Sequence, residues 1–294
     1  MNLTNVLTLL IGFLLLGGCS DETQDRDDLK LKAIYQQYYL DYDMQNKEIK
    51  SEVYFRTSSY GSYVKLSSTD KIQFKVSGDD VSIADAIFVE LAFERKQVFY
   101  GSRNVPYYKR SLNLDNTIKK NFEWQWYDSE TDQTIKNKTT LPTPEMVSIS
   151  HDAINPLDTT KNEELKIILK EALTEKQRFS VTITNTLKNS SSLNYSFTAK
   201  DSVDKKTFII KSSTMRTDSQ SDETKRTETS TRRYGNLNVD VTTEEAIPVL
   251  TSGRQNYSVS ISLSESEDSV NSAGKGGSIS KTIRFPNKEI DIIF

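Results

Sequence analysis

The amino-acid sequence predicts an all-β protein built from two β-sandwich domains. Apolar residues recur at every second position in many short runs, which is the pattern of strands with one buried face. Polar segments rich in Ser, Asn, Asp and Gly separate these runs, as turns between strands do. The chain has 294 residues, enough for one large domain or two ordinary ones. Many short half-buried strands joined by polar turns favour a sandwich among the all-β architectures.

The first element is an apolar segment that predicts a signal peptide. Residues 6–16 are apolar except for Thr8 and Gly12. The segment is shorter than the about 20 residues that span a bilayer, but it has the length of the apolar region of a signal peptide. The sequence Leu16-Gly17-Gly18-Cys19 follows and resembles the lipobox of bacterial lipoproteins. The resemblance implies removal of residues 1–18 and acylation of Cys19, the single cysteine of the chain.

An acidic segment comes next, and we expect it to be a short tether. Residues 20–28 contain five carboxylates and no large apolar side chain, so residues 19–28 are predicted to comprise the lipidated cysteine and an unpacked linker. Bacterial lipoproteins with the lipobox that this motif resembles carry two or three acyl chains at the cysteine, and that number of chains anchors a protein stably. The expected partner is therefore the lipid bilayer, reached through acylated Cys19. In that family, the Ser20 that follows the cysteine implies the outer rather than the inner membrane of the bacterial cell envelope.

The folded part is expected to begin at residue 29, and alternation marks its strands. Each set below is predicted to face one side of a strand. In chain order the sets are Ile49, Ser51, Val53 and Phe55; Ile72, Phe74 and Val76; Phe122, Trp124 and Trp126; Phe179, Val181 and Ile183; Leu193, Tyr195 and Phe197; Tyr257, Val259, Ile261 and Leu263; and Ile290, Ile292 and Phe294. The turns between them are predicted at 77–80, 128–132, 188–191 and 274–277.

Two segments follow this pattern less clearly. Within 162–177, Leu165, Ile167 and Leu169 alternate as in a strand, although other apolar residues of the segment have helical spacing. We favour a strand there because the neighbouring elements are strands, and a helix is the alternative. Residues 212–233 are rich in Ser, Thr and charge. They are predicted to form a solvated hairpin, with an interaction loop as the alternative.

The prolines predict where the two domains meet. Leu141-Pro142-Thr143-Pro144 and Asn155-Pro156 concentrate proline in a short stretch with few core residues. We therefore predict a first sandwich domain over residues 29–150 and a second over 151–294, both of ordinary domain size.

Several stretches resemble one family of bacterial proteins. SYVKLSSTDKIQF (62–74), FEWQWYD (122–128) and TTLP (139–142) look like the first immunoglobulin-like domain of uncharacterised proteobacterial envelope lipoproteins. RFSVTIT (178–184) and the segment from 257 to 285 are similar to their second domain. The resemblance implies two immunoglobulin-like sandwiches and carries no activity, because a fold alone does not confer one.

Charge and motifs exclude several function classes. The net charge of −3 offers no basic face for nucleic acid, so no nucleic-acid partner is expected. The single cysteine permits no intramolecular disulfide. The one histidine, His151, is expected to be structural or solvent-exposed, and the chain lacks a G-x-S-x-G motif that would present a nucleophilic serine. We predict no catalytic residues, no cofactor and no metal.

Two groups of residues are candidate sites. Asp128, Glu130 and Asp132 alternate as calcium ligands often do, but the simpler interpretation is the tip of a hairpin. Phe122, Trp124 and Trp126 share a strand face and are interpreted as core. The alternative is a sugar-binding surface. For that surface the candidate ligand-binding residues are Trp124, Tyr107 and Tyr108, extended by Tyr35, Tyr38, Tyr39 and Tyr42.

The function that follows is a non-enzymatic binding or scaffolding module anchored in the envelope membrane by lipid. Its partner is expected to be an envelope protein or a glycan. The first alternative is a glycan-binding surface protein that uses aromatic residues of domain 1. An alternative of another class is a carboxylate-dependent hydrolase without a recognisable signature.

Overall fold

The computed structural model describes residues 23–77, 88–97, 104–113, 121–141, 147–150, 156–186, 192–221, 223–234, 237–248, 254–268 and 275–293. The predicted signal peptide, Cys19 and His151 lie outside these ranges. Within them the chain is nearly all β-structure, which confirms the predicted fold class.

The strands are numbered in chain order, and the described ranges also contain one α-helix. Their bounds are β1 Gln24–Asp25, β2 Tyr35–Asp43, β3 Glu48–Arg56, β4 Val64–Lys65, β5 Lys71–Ser77, β6 Val89–Glu90, β7 Ala92–Gln97, β8 Asn104–Asn113, β9 Asn121–Asp128, β10 Gln133–Thr140, β11 Val147–Ser150, β12 Leu157–Asp158, β13 Glu164–Leu169, β14 Gln177–Asn185, β15 Ser192–Thr198, β16 Thr207–Lys211, α1 Ser212–Ser221, β17 Glu223–Tyr234, β18 Leu237–Pro248, β19 Arg254–Glu267, β20 Gly277–Arg284 and β21 Lys288–Ile293. Short 3₁₀ turns occupy Arg26–Asp28, Leu31–Ala33 and Ala199–Asp201.

The chain divides into two compact units. Unit 1 comprises Met1–Pro144 and Ser264–Ile283, and unit 2 comprises Glu145–Leu263 and Arg284–Phe294. The predicted domains of 29–150 and 151–294 did not place residues 264–283 in the first unit. Lys281 shows why they belong there. Its buried ammonium donates to the Thr140 carbonyl at 3.1 Å and pairs with Glu265 at 2.9 Å and with Glu267.

Unit 1 is a sandwich of two sheets. One sheet has the strand order β10-β9-β5-β6, and the other contains β20-β2-β3-β8-β7 in that order. The inner faces meet through aromatic rings: the Trp126 centroid lies 4.7 Å from Phe55, and the Trp124 centroid lies 4.9 Å from Tyr38. Ile49, with its alternating partners on β3, is fully buried, as the period-two pattern predicted.

Unit 2 is also a sandwich. The sheet β11-β13-β16 faces a sheet in which β12, β21, β19, β14 and β15 pair in that order. Phe208 on β16 joins the two layers, because its centroid lies 5.6 Å from Phe179 on β14 and 5.3 Å from Phe197 on β15. The ambiguous segment forms the strand β13, with Leu165, Ile167 and Leu169 buried, so the helical alternative was wrong.

The polar segment 212–233 differs from the predicted hairpin. Its first part is the helix α1, and only Glu223–Tyr234 is a strand, paired with β18. Burial of one side chain and hydrogen bonds of another explain the helix. Met215 is fully buried, and the Ser212 hydroxyl accepts from the Glu163 N–H at 3.0 Å while it donates to the Lys161 carbonyl at 2.6 Å. Such tertiary contacts, rather than propensity, stabilise most short helices.

The predicted tether ends earlier than residue 28. Gln24–Asp25 pair with β4, and the Arg26 side chain is fully buried in unit 1. Its guanidinium donates to Asp128 Oδ1 from Nε at 2.9 Å and from Nη2 at 2.6 Å, and it contacts Glu130 at 2.7 Å and the Leu29 carbonyl. A buried arginine is stable only when its charge and its donors are matched in this way. Residues 24–28 are therefore part of the folded unit.

Candidate functional site

Trp124 lies in the core of unit 1 and not on a surface. It is fully buried, and its indole N–H donates to the Ser51 hydroxyl at 2.7 Å. Tyr38 and Phe74 pack against its ring, with centroids at 4.9 and 5.5 Å. Trp126 and Phe122 are fully buried as well. The ring of Trp124 has no face on which a sugar could stack, so these contacts support the core interpretation over the sugar-binding alternative for this residue.

Tyr107 points away from the sandwich interior and belongs to a cluster of tyrosines. Its ring stacks on Tyr54 at 5.6 Å, and Tyr63 and Tyr39 contact Tyr54 in turn. The Tyr107 hydroxyl donates to Glu94 at 3.0 Å. Burial, followed by this hydrogen bond, raises the pKa of Tyr107. Tyr107 and Tyr54 are almost completely covered, so Tyr39 is the most exposed ring of the cluster, at 38%.

The tyrosines of β2 divide between the two faces of their sheet. Tyr38 and Tyr42 are buried on the inner face, whereas Tyr35 and Tyr39 lie on the outer face. Successive side chains of a strand point to opposite sides, so these four residues cannot extend one binding patch.

Tyr108 is the predicted ligand-binding residue that the structure places at a cavity. It forms the floor of a cleft in unit 1 of about 520 Å³, within the range of about 300–1,000 Å³ that is usual for small-ligand sites. We call this cavity the Phe93 cleft and define it by Ser67, Asp70, Glu90, Leu91, Phe93 and Tyr108.

The floor of the Phe93 cleft is rigid because Tyr108 is held on two sides. The Tyr108 oxygen accepts the Leu66 N–H at 3.0 Å, and its ring packs edge-on against Phe55 at 5.8 Å. Burial raises the pKa of Tyr108 well above its usual value. The hydroxyl therefore keeps its proton at neutral pH, and that proton is not used in the bond from Leu66.

The register of β7 on β8 places Phe93 above Tyr108. The two residues are cross-strand partners, and their ring centroids lie 5.6 Å apart. Phe93 is 44% exposed, whereas Leu91 beside it is buried and donates its N–H to the Ile72 carbonyl at 2.9 Å. The cleft therefore presents one accessible aromatic ring on an otherwise buried apolar floor.

Asp70 builds the polar rim of the cleft. Its Oδ1 accepts from the backbone N–H of Ser129 at 2.8 Å and from the Ser129 hydroxyl at 2.7 Å. Its Oδ2 accepts from the Ser67 N–H at 3.3 Å. These bonds fasten the β4–β5 loop to the β9–β10 turn, so the rim is formed before any ligand arrives.

The acidic residues at 128–132 form the predicted hairpin tip. The β9–β10 register closes with Asp128 opposite Gln133, which confirms that interpretation. The Arg26 guanidinium forms ion pairs with Asp128 and Glu130, and Asp132 accepts a hydrogen bond from the Tyr127 hydroxyl at 3.0 Å. Over the described ranges, no group of three or more His, Cys, Asp and Glu residues is placed to hold a metal ion.

Of the residues that define this site, sequence reasoning identified only Tyr108. It missed Asp70 and Ser67, and it missed Phe93 and Glu90. Only the pairing of β7 with β8 and of β5 with β6 brings them beside Tyr108 and Asp70. The one available signal was the alternation around Phe93, which does not say which face is exposed.

In the part of the chain that the structure covers, none of the helices has the length and apolar character needed to cross a membrane. Comparison with models of protein families and with curated proteins finds no match to this chain.

Proposed function

We propose that this protein is a non-enzymatic binding module of the bacterial cell envelope, anchored by lipid, and that its binding site is the Phe93 cleft. The cleft is the observation that carries the proposal, because it combines an accessible ring, a rigid floor and a preformed polar rim. The lipid anchor rests on the resemblance of Leu16-Gly17-Gly18-Cys19 to a lipobox, and Ser20 favours the outer membrane. The bilayer is then one partner, and an envelope protein or glycan is the other.

The strand orders support the immunoglobulin-like part of the proposal. Such sandwiches combine a sheet of order A-B-E-D with a sheet of C, F and G, which C′ can extend. In unit 1, β2-β3-β8-β7 follows A-B-E-D, and β10-β9-β5-β6 follows G-F-C-C′. In unit 2, β11-β13-β16 follows A-B-E, and β21-β19-β14-β15 follows G-F-C-C′. Antibody domains join strands B and F by a disulfide, and here Ser51 and Trp124 hydrogen-bond between the same two strands.

The bonding of Asp70 favours binding over catalysis at the cleft. Asp70 and Glu90 are the carboxylates there that a hydrolase of this kind would use. Both oxygens of Asp70 accept hydrogen bonds from Ser67 and Ser129, so this carboxylate holds the rim together. The hydrolase alternative would require it to release those donors and act on a substrate.

Photo-crosslinking in living cells tests whether the cleft is a binding site. The full chain would carry p-benzoylphenylalanine in place of Phe93, and a matched control would carry it in place of Tyr60, which is 91% exposed outside the cleft. Benzophenone inserts into C–H bonds of any ligand class, so we expect a discrete adduct from the Phe93 position only. No adduct from that position, or the same adducts from both, would contradict the proposal.

A further inference from the structure

We infer that the Phe93 cleft binds carbohydrate, with the C–H face of a neutral pyranose ring against Phe93 and its hydroxyls on the rim. The inference rests on the proposed function, because it identifies the ligand of that same site. Three properties of the cleft carry it: the size of its apolar surface, the chemistry of its rim and the balance of its charges.

The accessible apolar surface is small. Phe93 is 44% exposed, but Leu91, Ile72 and Tyr108 beneath it are buried. A lipid chain or an apolar peptide anchor needs a continuous apolar surface, which this floor does not offer. One aromatic ring matches a ligand whose apolar face is about the size of a ring, and a pyranose has such a face in its axial C–H groups.

The rim supplies the hydrogen-bonding groups that hydroxyls require. Glu90 and the remaining lone pairs of Asp70 only accept, whereas the Ser68 hydroxyl both donates and accepts. The Ser67 hydroxyl offers only lone pairs, because its proton goes to Thr69 in the chain of bonds that runs through Ser129 to Asp70. The proton of the Tyr108 hydroxyl adds a donor, because the hydrogen bond from the Leu66 N–H uses only a lone pair of the Tyr108 oxygen. Sugar hydroxyls donate and accept at once, so a rim that mixes acceptors and donors around an aromatic ring matches them.

The charges of the cleft select against anionic ligands. Two carboxylates, Asp70 and Glu90, line it together with one ammonium, that of Lys65. A phosphate or a uronic acid would bring a further negative charge to this excess of carboxylates, which is unfavourable. The ligand is therefore a neutral sugar.

Calorimetric titration of the full-length protein in detergent micelles tests the inference. The probes are tetrasaccharides of glucose, of N-acetylglucosamine and of mannose, with a galacturonic acid tetrasaccharide as the anionic comparison. We expect at least one neutral probe to bind and the anionic probe to bind at least about tenfold more weakly. Phe93→Ala should weaken the neutral probe at least about tenfold, whereas Phe93→Tyr, which keeps the ring, should bind like the wild type.

Two controls make the outcome decisive. Tyr60→Ala removes an exposed ring outside the cleft and should leave binding unchanged. Transfer of magnetisation from the Phe93 ring to sugar C–H protons reports the contact without any substitution. Absence of binding by all neutral probes, or equal binding by Phe93→Ala, overturns the carbohydrate assignment. A protein adduct at Phe93 in the crosslinking experiment would then leave the binding-module proposal standing.

Discussion

Truncating Trp124 or Trp126 to Ala should lower the free energy of unfolding of unit 1 by about 3–5 kcal/mol, as other large-to-small core substitutions do. Both indoles are fully buried between the two sheets, in contact with Tyr38 and Phe55 respectively. A domain of this size has only about 5–15 kcal/mol of stability in total. Unit 1 should then melt far below the wild type or fail to fold.

Urea unfolding of the full chain measures this effect, because unit 1 includes residues 264–283 and a piece ending near residue 150 would lack them. Tyr60→Ala, at an exposed aromatic position of the same unit, should change the stability by no more than about 0.5 kcal/mol. Urea midpoints near that of the wild type for both tryptophan variants would show that the indoles do not belong to the core. That result would favour the interpretation in which they bind a ligand.

Arg26→Ala should also cost about 3–5 kcal/mol, because it leaves the carboxylate of Asp128 buried without its partner. Asp27→Ala, at the exposed neighbouring position, should be within about 0.5 kcal/mol of the wild type. Replacing Arg26 and Asp128 together should cost less than the sum of the two single changes, since the double variant leaves no buried charge unpaired and Glu130, which also loses Arg26, is exposed.

Truncation provides an independent check on Arg26. A chain that begins at residue 23 keeps the Arg26–Asp128 pair, whereas a chain that begins at residue 29 loses it. Thermal melting should therefore place the shorter chain well below the longer one. Equal melting temperatures would mean that residues 24–28 act only as a linker, as their acidic sequence had predicted.

Local alternation predicted much of the fold because it reports burial of one strand face. Ile49, Val53, Phe122 and Phe179 all lie on inner faces where the period of two placed them. No comparable sequence pattern predicts the ion pair between Arg26 and Asp128. Its partner Asp128 lies 102 residues away, and an arginine within an acidic run gives no indication that it is buried.

The site was less predictable, because it depends on which strands pair. Tyr107 and Tyr108 are adjacent in sequence but occupy opposite faces of β8, so only Tyr108 reaches the cleft. Phe93 lies over Tyr108 through the β7–β8 register, and Asp70 meets Ser129 across 59 residues. Alternation identifies the two faces of a strand, but it does not say which face is covered or what lies beside the exposed one.

Incorporation of labelled fatty acid at Cys19 tests the proposed envelope lipoprotein most directly. Cells expressing the full chain would be fed a labelled fatty acid, and the purified wild type would be compared with Cys19→Ser. We expect label in the wild type and none in Cys19→Ser, which should also accumulate as precursor or leave the membrane fraction. Equal incorporation into both proteins, or no incorporation into the wild type, would contradict the lipid anchor.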